Sequence, residues 1–203
     1  MFAIRTGPTL SCMLLGLLAA GCVVENEHSI IDKPAPPDKR IVGVWALEAD
    51  GGAQVLMLRE DGEANAPLQS TYVIVPNDEP PATSRADVAF TMIGGRSYFE
   101  ANWKIGEWLP LDPPVRRTFG TYELSGGRGA ETLKLCLADA ESFETPVKTG
   151  ALSGFSGSGD SYERRVVLAA DTAALRAYLA KNHFECSVSA TFRRLTGPEQ
   201  SRQ

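Results

Sequence analysis

The chain is 203 residues long, 43% apolar and 22% charged, with 25 Asp+Glu against 20 Lys+Arg and a formal charge of −5. That acidity argues against a nucleic-acid partner and against adsorption to anionic lipid through a basic patch. The length suits one domain that buries about two-thirds of its unfolded surface.

The first element is a leader. Met1 to Arg5 forms a short basic start, and Leu10 to Ala20 is an apolar segment of about half the ~20 residues a spanning helix needs. Small residues then lead into Cys22. The run Leu14-Leu15-Gly16-Leu17-Leu18-Ala19-Ala20-Gly21-Cys22 resembles the lipobox of bacterial lipoproteins, and an ordinary secretory leader needs no cysteine at this place. The resemblance implies cleavage before Cys22, lipidation of its thiol and a membrane partner through that lipid. Val23, where an Asp would signal retention at the inner membrane, implies the periplasmic face of the outer membrane. Residues 1–21 contain one basic residue and no acidic one, so the remainder carries 19 Lys+Arg against 25 Asp+Glu, a balance of −6.

Residues 22–40 read as the lipidated cysteine and a disordered tether, with Pro34, Pro36 and Pro37 among charged and polar residues. As an extended polyproline-like chain this segment reaches up to roughly 50 Å. His28 falls here and reads as solvent-facing.

Residues 41–196 form the folded domain, with 197–203 as a disordered tail. Short apolar runs bounded by turn residues predict strands at 41–47, 55–58, 71–75, 88–93, 99–105, 118–124, 133–137, 166–168 and 186–195. Asp61-Gly62 and Gly94-Gly95 are turn signals, the latter suited to a two-residue hairpin. Phe99, Ala101, Trp103 and Ile105 alternate with Tyr98, Glu100, Asn102 and Lys104, the pattern of a sheet wet on one side. Gly154-Phe155-Ser156-Gly157-Ser158 nearly spells a nucleophile elbow, but Ser158 replaces the second glycine and a flexible loop is expected.

The chain has four cysteines; once Cys12 leaves with the leader and Cys22 takes lipid, Cys136 and Cys186 remain. An oxidising periplasm invites a disulfide between them. Period two, however, places Cys136 with Thr132 and Lys134, and Cys186 with Phe184, Val188 and Phe192. Opposite faces bond only if a bulge flips one strand, so a disulfide and two separate thiols both stay open.

Residues 171–182 are the one predicted helix, with Leu175, Tyr178 and Leu179 as its apolar stripe. Asp171 or Thr172 is the N-cap, and Asn182 suits a left-handed stop. The stripe is expected to cross the sheet or plug a barrel end. Many antiparallel strands, one late α-helix and a closing strand predict a mainly β fold, an antiparallel barrel of about eight strands preceded by the tether. Gly43-Val44-Trp45 resembles the Gly-x-Trp motif of lipocalins, although no Thr-Asp-Tyr type motif accompanies it. That resemblance implies that Trp45 closes the narrow end, with an arginine of the last strand, Arg193 or Arg194, packed over it.

Catalytic sets are sparse. His183 is the sole histidine of the folded part and sits after the helix, where an end or surface role is expected. Glu141 and Glu144 read as solvated loop carboxylates. No His/Cys pair has metal spacing and no phosphate-cradling glycine loop precedes a helix, so neither metal nor cofactor is expected. The Pro-rich connection 106–115 carries Trp108 and Leu109, which either lid the barrel, meet a partner or cover an open end. The sequence thus leads to a non-enzymatic, membrane-anchored lipoprotein whose barrel binds a small apolar ligand. The alternative is a protein-binding envelope accessory, or an inhibitor of a periplasmic hydrolase, acting through its loops.

Overall fold

The computed structural model describes residues 24–33, 36, 38–49, 52–62, 66–77, 80–104, 117–127, 131–157 and 166–195. The leader, Cys22, Trp108, Leu109 and the tail 197–203 lie outside them.

Eight strands close an antiparallel barrel: β2 (Gly43–Ala49), β3 (Gly52–Arg59), β4 (Leu68–Pro76), β5 (Ala82–Ile93), β6 (Arg96–Trp103), β7 (Arg117–Ser125), β8 (Thr132–Ala138) and β11 (Cys186–Arg194). Each pairs with the next in the chain, and β11 returns to β2, so no barrel strand keeps a free edge. Every run predicted as a strand forms one. The β5–β6 hairpin turns on Gly94 and Gly95 at φ +57° and +82°, a left-handed pair that side chains with a Cβ resist.

Inside the barrel, period two stacks Trp45, Leu56, Leu58, Leu68, Phe90, Phe99, Leu133 and Phe192 into one core. A second core lies on the outer wall. It is built by β1 (Val24–Asn26), α1 (Glu141–Lys148), β9 (Gly154–Ser156), β10 (Val166–Leu168) and α2 (Thr172–Lys181). β1 runs parallel to β10, with Val24 opposite Val166, and antiparallel to β7, with Glu25 opposite Thr118. Four of these five elements are inserted between β8 and β11, and together with β1 they bury Tyr98 and Phe119 of the barrel wall.

Helix α2 packs across the outside of the wall and plugs neither end. Asp171 is the N-cap and accepts a hydrogen bond from the Ala174 amide at 2.8 Å. Leu175 and Leu179 are fully buried, worth ~1.5–3 kcal/mol each. Asn182 does not take the left-handed stop: it is extended at φ −115°, and its backbone and side-chain N–H groups both bond the Tyr178 carbonyl. Those two bonds satisfy the helix end without positive φ.

Several expectations are corrected. Residues 24–31 are not a loose tether: Val24 and Ile30 are buried and the segment is hydrogen-bonded to the barrel. A three-residue strand and one isoleucine have no readable period, and their partners lie far along the chain, in the insertion and on β6 and β7. The outer face predicted to be wet is so only in part: Asn102 and Lys104 are exposed, whereas Tyr98 and Glu100 are buried beneath this cover. Among the described residues there are two helices rather than one; α1 lacks a side-chain N-cap and holds Pro146 near its end, which hides it from a reading by caps and breakers. Gly154 to Ser156 is a strand paired with β10, not a flexible loop.

Candidate functional site

Trp45 closes one end of the barrel. At the closed end Trp45 is fully buried and donates its indole N–H to the Ile41 carbonyl at 2.8 Å. Arg194 covers the ring, its guanidinium carbon 4.4 Å from the ring centre. The guanidinium also bonds the carbonyls of Val42, at 2.9 Å, and Arg40, and faces Glu131 at 3.3 Å. Gly43 sits at φ +146°, where a Cβ would overlap that guanidinium. Gly43, Trp45 and Arg194 are therefore one unit, as the resemblance implied. Arg193 is not part of it: it is exposed and pairs across to Ala46 and Thr132. Parity decides between the two arginines, because Arg194 shares a face with the inward Phe192.

Above this floor the barrel encloses an apolar calyx of about 290 Å³. Leu47, Leu56, Leu58, Val88, Phe90, Phe99, Trp103, Leu135, Leu137 and Phe192 form most of its wall. The strands point it toward the end where β2 turns to β3, β4 to β5 and β6 to β7. Trp108 and Leu109 belong to that last connection and lie outside the described residues.

Gln54 and Tyr72 form a bonded polar pair in this wall, which Ser70, Ser187 and Ser189 also border. Gln54 is buried, and the Tyr72 hydroxyl donates to its carboxamide oxygen at 2.5 Å. Burial pushes the Tyr72 hydroxyl up to about 12, because the phenolate would lose its hydration. Ser70 Oγ donates to the Ala86 carbonyl at 3.0 Å, and the Trp103 indole N–H donates to Thr118 Oγ1 at 3.0 Å. The sequence contained a sign of Gln54: two residues before Leu56 and four before Leu58, it falls on their inward face. Tyr72 follows from its position opposite Leu56.

Cys136 and Cys186 form a disulfide, with Cα atoms 5.2 Å apart. The register slips by one residue between Cys186 and Val188, which lets Cys186 leave the inward set of Val188, Ala190 and Phe192 and meet Cys136 outside. The bond fastens the outgoing and returning ends of the insertion, across a separation of 50 residues.

The remaining candidates do not assemble. Ser156 Oγ is buried without a hydrogen-bond partner, so no base touches it. His183 is exposed and contacts Arg96. Glu141 and Glu144 lie in the first turn of α1, not in a loop, with Glu144 paired to Lys148 at 2.7 Å. His28 is exposed. Among the described residues no cluster of His, Cys, Asp or Glu could hold a metal, and no helix is long and apolar enough to cross a membrane. Comparison with known protein families, curated proteins and solved structures finds no match for this chain.

Proposed function

We propose that the protein is a lipid-anchored lipoprotein on the periplasmic face of the outer membrane, and that its barrel carries a small apolar ligand. The observation that carries the ligand reading is the calyx itself, an apolar cavity of about 290 Å³ closed below by Trp45. A well-packed core leaves few voids larger than a water molecule, and ligand sites are apolar hollows with a few placed polar groups. The hollow favours a carrier over an accessory that works through its loops alone. The Cys22 lipid would hold this carrier close to the bilayer, because β1 begins two residues later and two extended residues span ~7 Å.

Trp103 in the calyx wall provides the assay. An apolar ligand should change tryptophan emission of the full chain carrying Cys22→Ser, and Phe90→Arg, which fills the hollow with charge, should abolish the response. A wild-type chain indifferent to every apolar probe would remove the carrier reading. For the anchor, the amino-terminal mass of the wild-type protein should include diacylglycerol on Cys22, and Cys22→Ser should leave the membrane fraction. A soluble, unlipidated wild type would remove that part.

A further inference from the structure

The polarity of the calyx narrows its ligand. No charged side chain lines it among the described residues. Ser189, at its border, is exposed and pairs with the outward Cys136, while Ser70 is committed to Ala86, Ser187 to the carbonyls of Leu137 and Ala138, and Trp103 to Thr118. The Gln54–Tyr72 pair differs. Tyr72 spends its one proton on the Gln54 oxygen, which leaves the tyrosine oxygen as an acceptor and the Gln54 carboxamide N–H groups as donors. Those N–H groups make no hydrogen bond to any described residue, in a wall whose other side chains are aliphatic, aromatic or serine.

Resting on the carrier reading above, we propose that the calyx selects a neutral amphiphile with one polar group, an alcohol or a primary amide, held by Gln54 and Tyr72. Such a group both accepts from Gln54 and donates to Tyr72. A carboxylate matches poorly, since it cannot donate and would enter an uncharged cavity without a counter-ion. The Tyr72 phenol, held neutral well above physiological pH, neither repels nor neutralises a headgroup. Size adds a second limit. At ~30 Å³ per water-sized group, about 290 Å³ holds roughly ten non-hydrogen atoms, a medium chain rather than a membrane lipid.

The test uses the full chain with Cys22→Ser, tryptophan emission, and four probes at pH 8: nonane, nonan-1-ol, nonanoate and hexadecan-1-ol. Nonan-1-ol should bind about tenfold tighter than nonanoate and several-fold tighter than nonane, with hexadecan-1-ol weaker than nonan-1-ol. Gln54→Leu should weaken nonan-1-ol about five- to tenfold and leave nonane unchanged. If no probe binds, nonane included, the carrier reading itself fails. If nonane binds and nonan-1-ol gains nothing over it, or nonanoate binds best, the carrier stands and the neutral-headgroup inference is overturned. Equal binding of hexadecan-1-ol overturns the size limit. Should Gln54→Leu not fold, the wild-type ranking of alcohol, alkane and carboxylate decides alone.

Discussion

Glu100 ties the outer cover to the barrel, and its removal gives a graded prediction. Its oxygens accept from Asn26 Nδ2 at 2.9 Å, Ser29 Oγ at 2.8 Å and the Ile30 amide at 2.7 Å, while Arg117 Nε lies 3.8 Å away. In Glu100→Ala these three donors lose their acceptor. Ile30 has no exposed surface, so its amide cannot turn to water and costs ~1–3 kcal/mol. Ser29 is half-buried and Asn26 Nδ2 keeps the His28 carbonyl, so each of these adds only ~1 kcal/mol. The expected loss is ~3–5 kcal/mol for alanine. Glu100→Gln keeps one oxygen for the Asn26 and Ile30 donors and gives up the charge and the acceptor of Ser29 Oγ, for ~1–2 kcal/mol. Urea unfolding at pH 7 measures both, and hydrogen exchange should show the Ile30 and Ile31 amides losing protection first. A Glu100→Ala protein within ~1 kcal/mol of wild type, with Ile30 still protected, would refute this reasoning and shift the fastening to apolar burial, the pairing of β1 and the Thr172 and Arg176 contacts.

Gly43→Ala forces Arg194 off Trp45 and should cost ~2–3 kcal/mol in the same unfolding assay, close to Arg194→Ala, while Arg193→Ala stays within ~0.5 kcal/mol; equal losses for the two arginines would contradict the assignment. Reducing the Cys136–Cys186 bond frees a loop of 50 residues and should lower stability by ~2–4 kcal/mol, read as a fall in Tm with dithiothreitol that the Cys136→Ala, Cys186→Ala double variant does not show. Tyr72 ionises at about 12 in the fold and near 10 when unfolded, so the folded state holds its proton longer. Its stabilising contribution is therefore complete below pH 10 and lost as pH rises toward 12; in absorbance at 295 nm Tyr72→Phe should remove the latest-titrating phase, and an unchanged profile would rule out the buried phenol.

Much of the barrel was legible because period two is local. Phe99, Ala101 and Trp103 announce an inward face whatever else the chain does, and Gly94-Gly95 announces its turn. What covers the other face was not legible, since Tyr98 and Glu100 are buried by residues 24–31 and by the insertion, of which α2 alone shows a stripe and that stripe does not say which surface it meets. The disulfide turned on a similar gap: one extra residue near Ser187 reverses the facing of Cys186, and no composition signal marks a bulge. In the calyx the aliphatic wall could be read from alternation. Its polar pair required extending β3 back to Gln54, one residue before the apolar run at 55–58.

The cover and the barrel also share a schedule. Ser29 meets Thr172, Ile30 meets Arg176 and Val42 meets Arg194, contacts separated by 143, 146 and 152 residues. Such distant partners make folding slow, because loop closure comes before the contacts that reward it. Synthesis runs from the amino terminus, so β2 and β8 present open edges until residues 186–194 arrive to fill the gap between them. During that interval both edges are templates for strands of other molecules. A chain cut short before Cys186 would keep them open permanently, and would be expected to aggregate rather than persist as a loosened barrel.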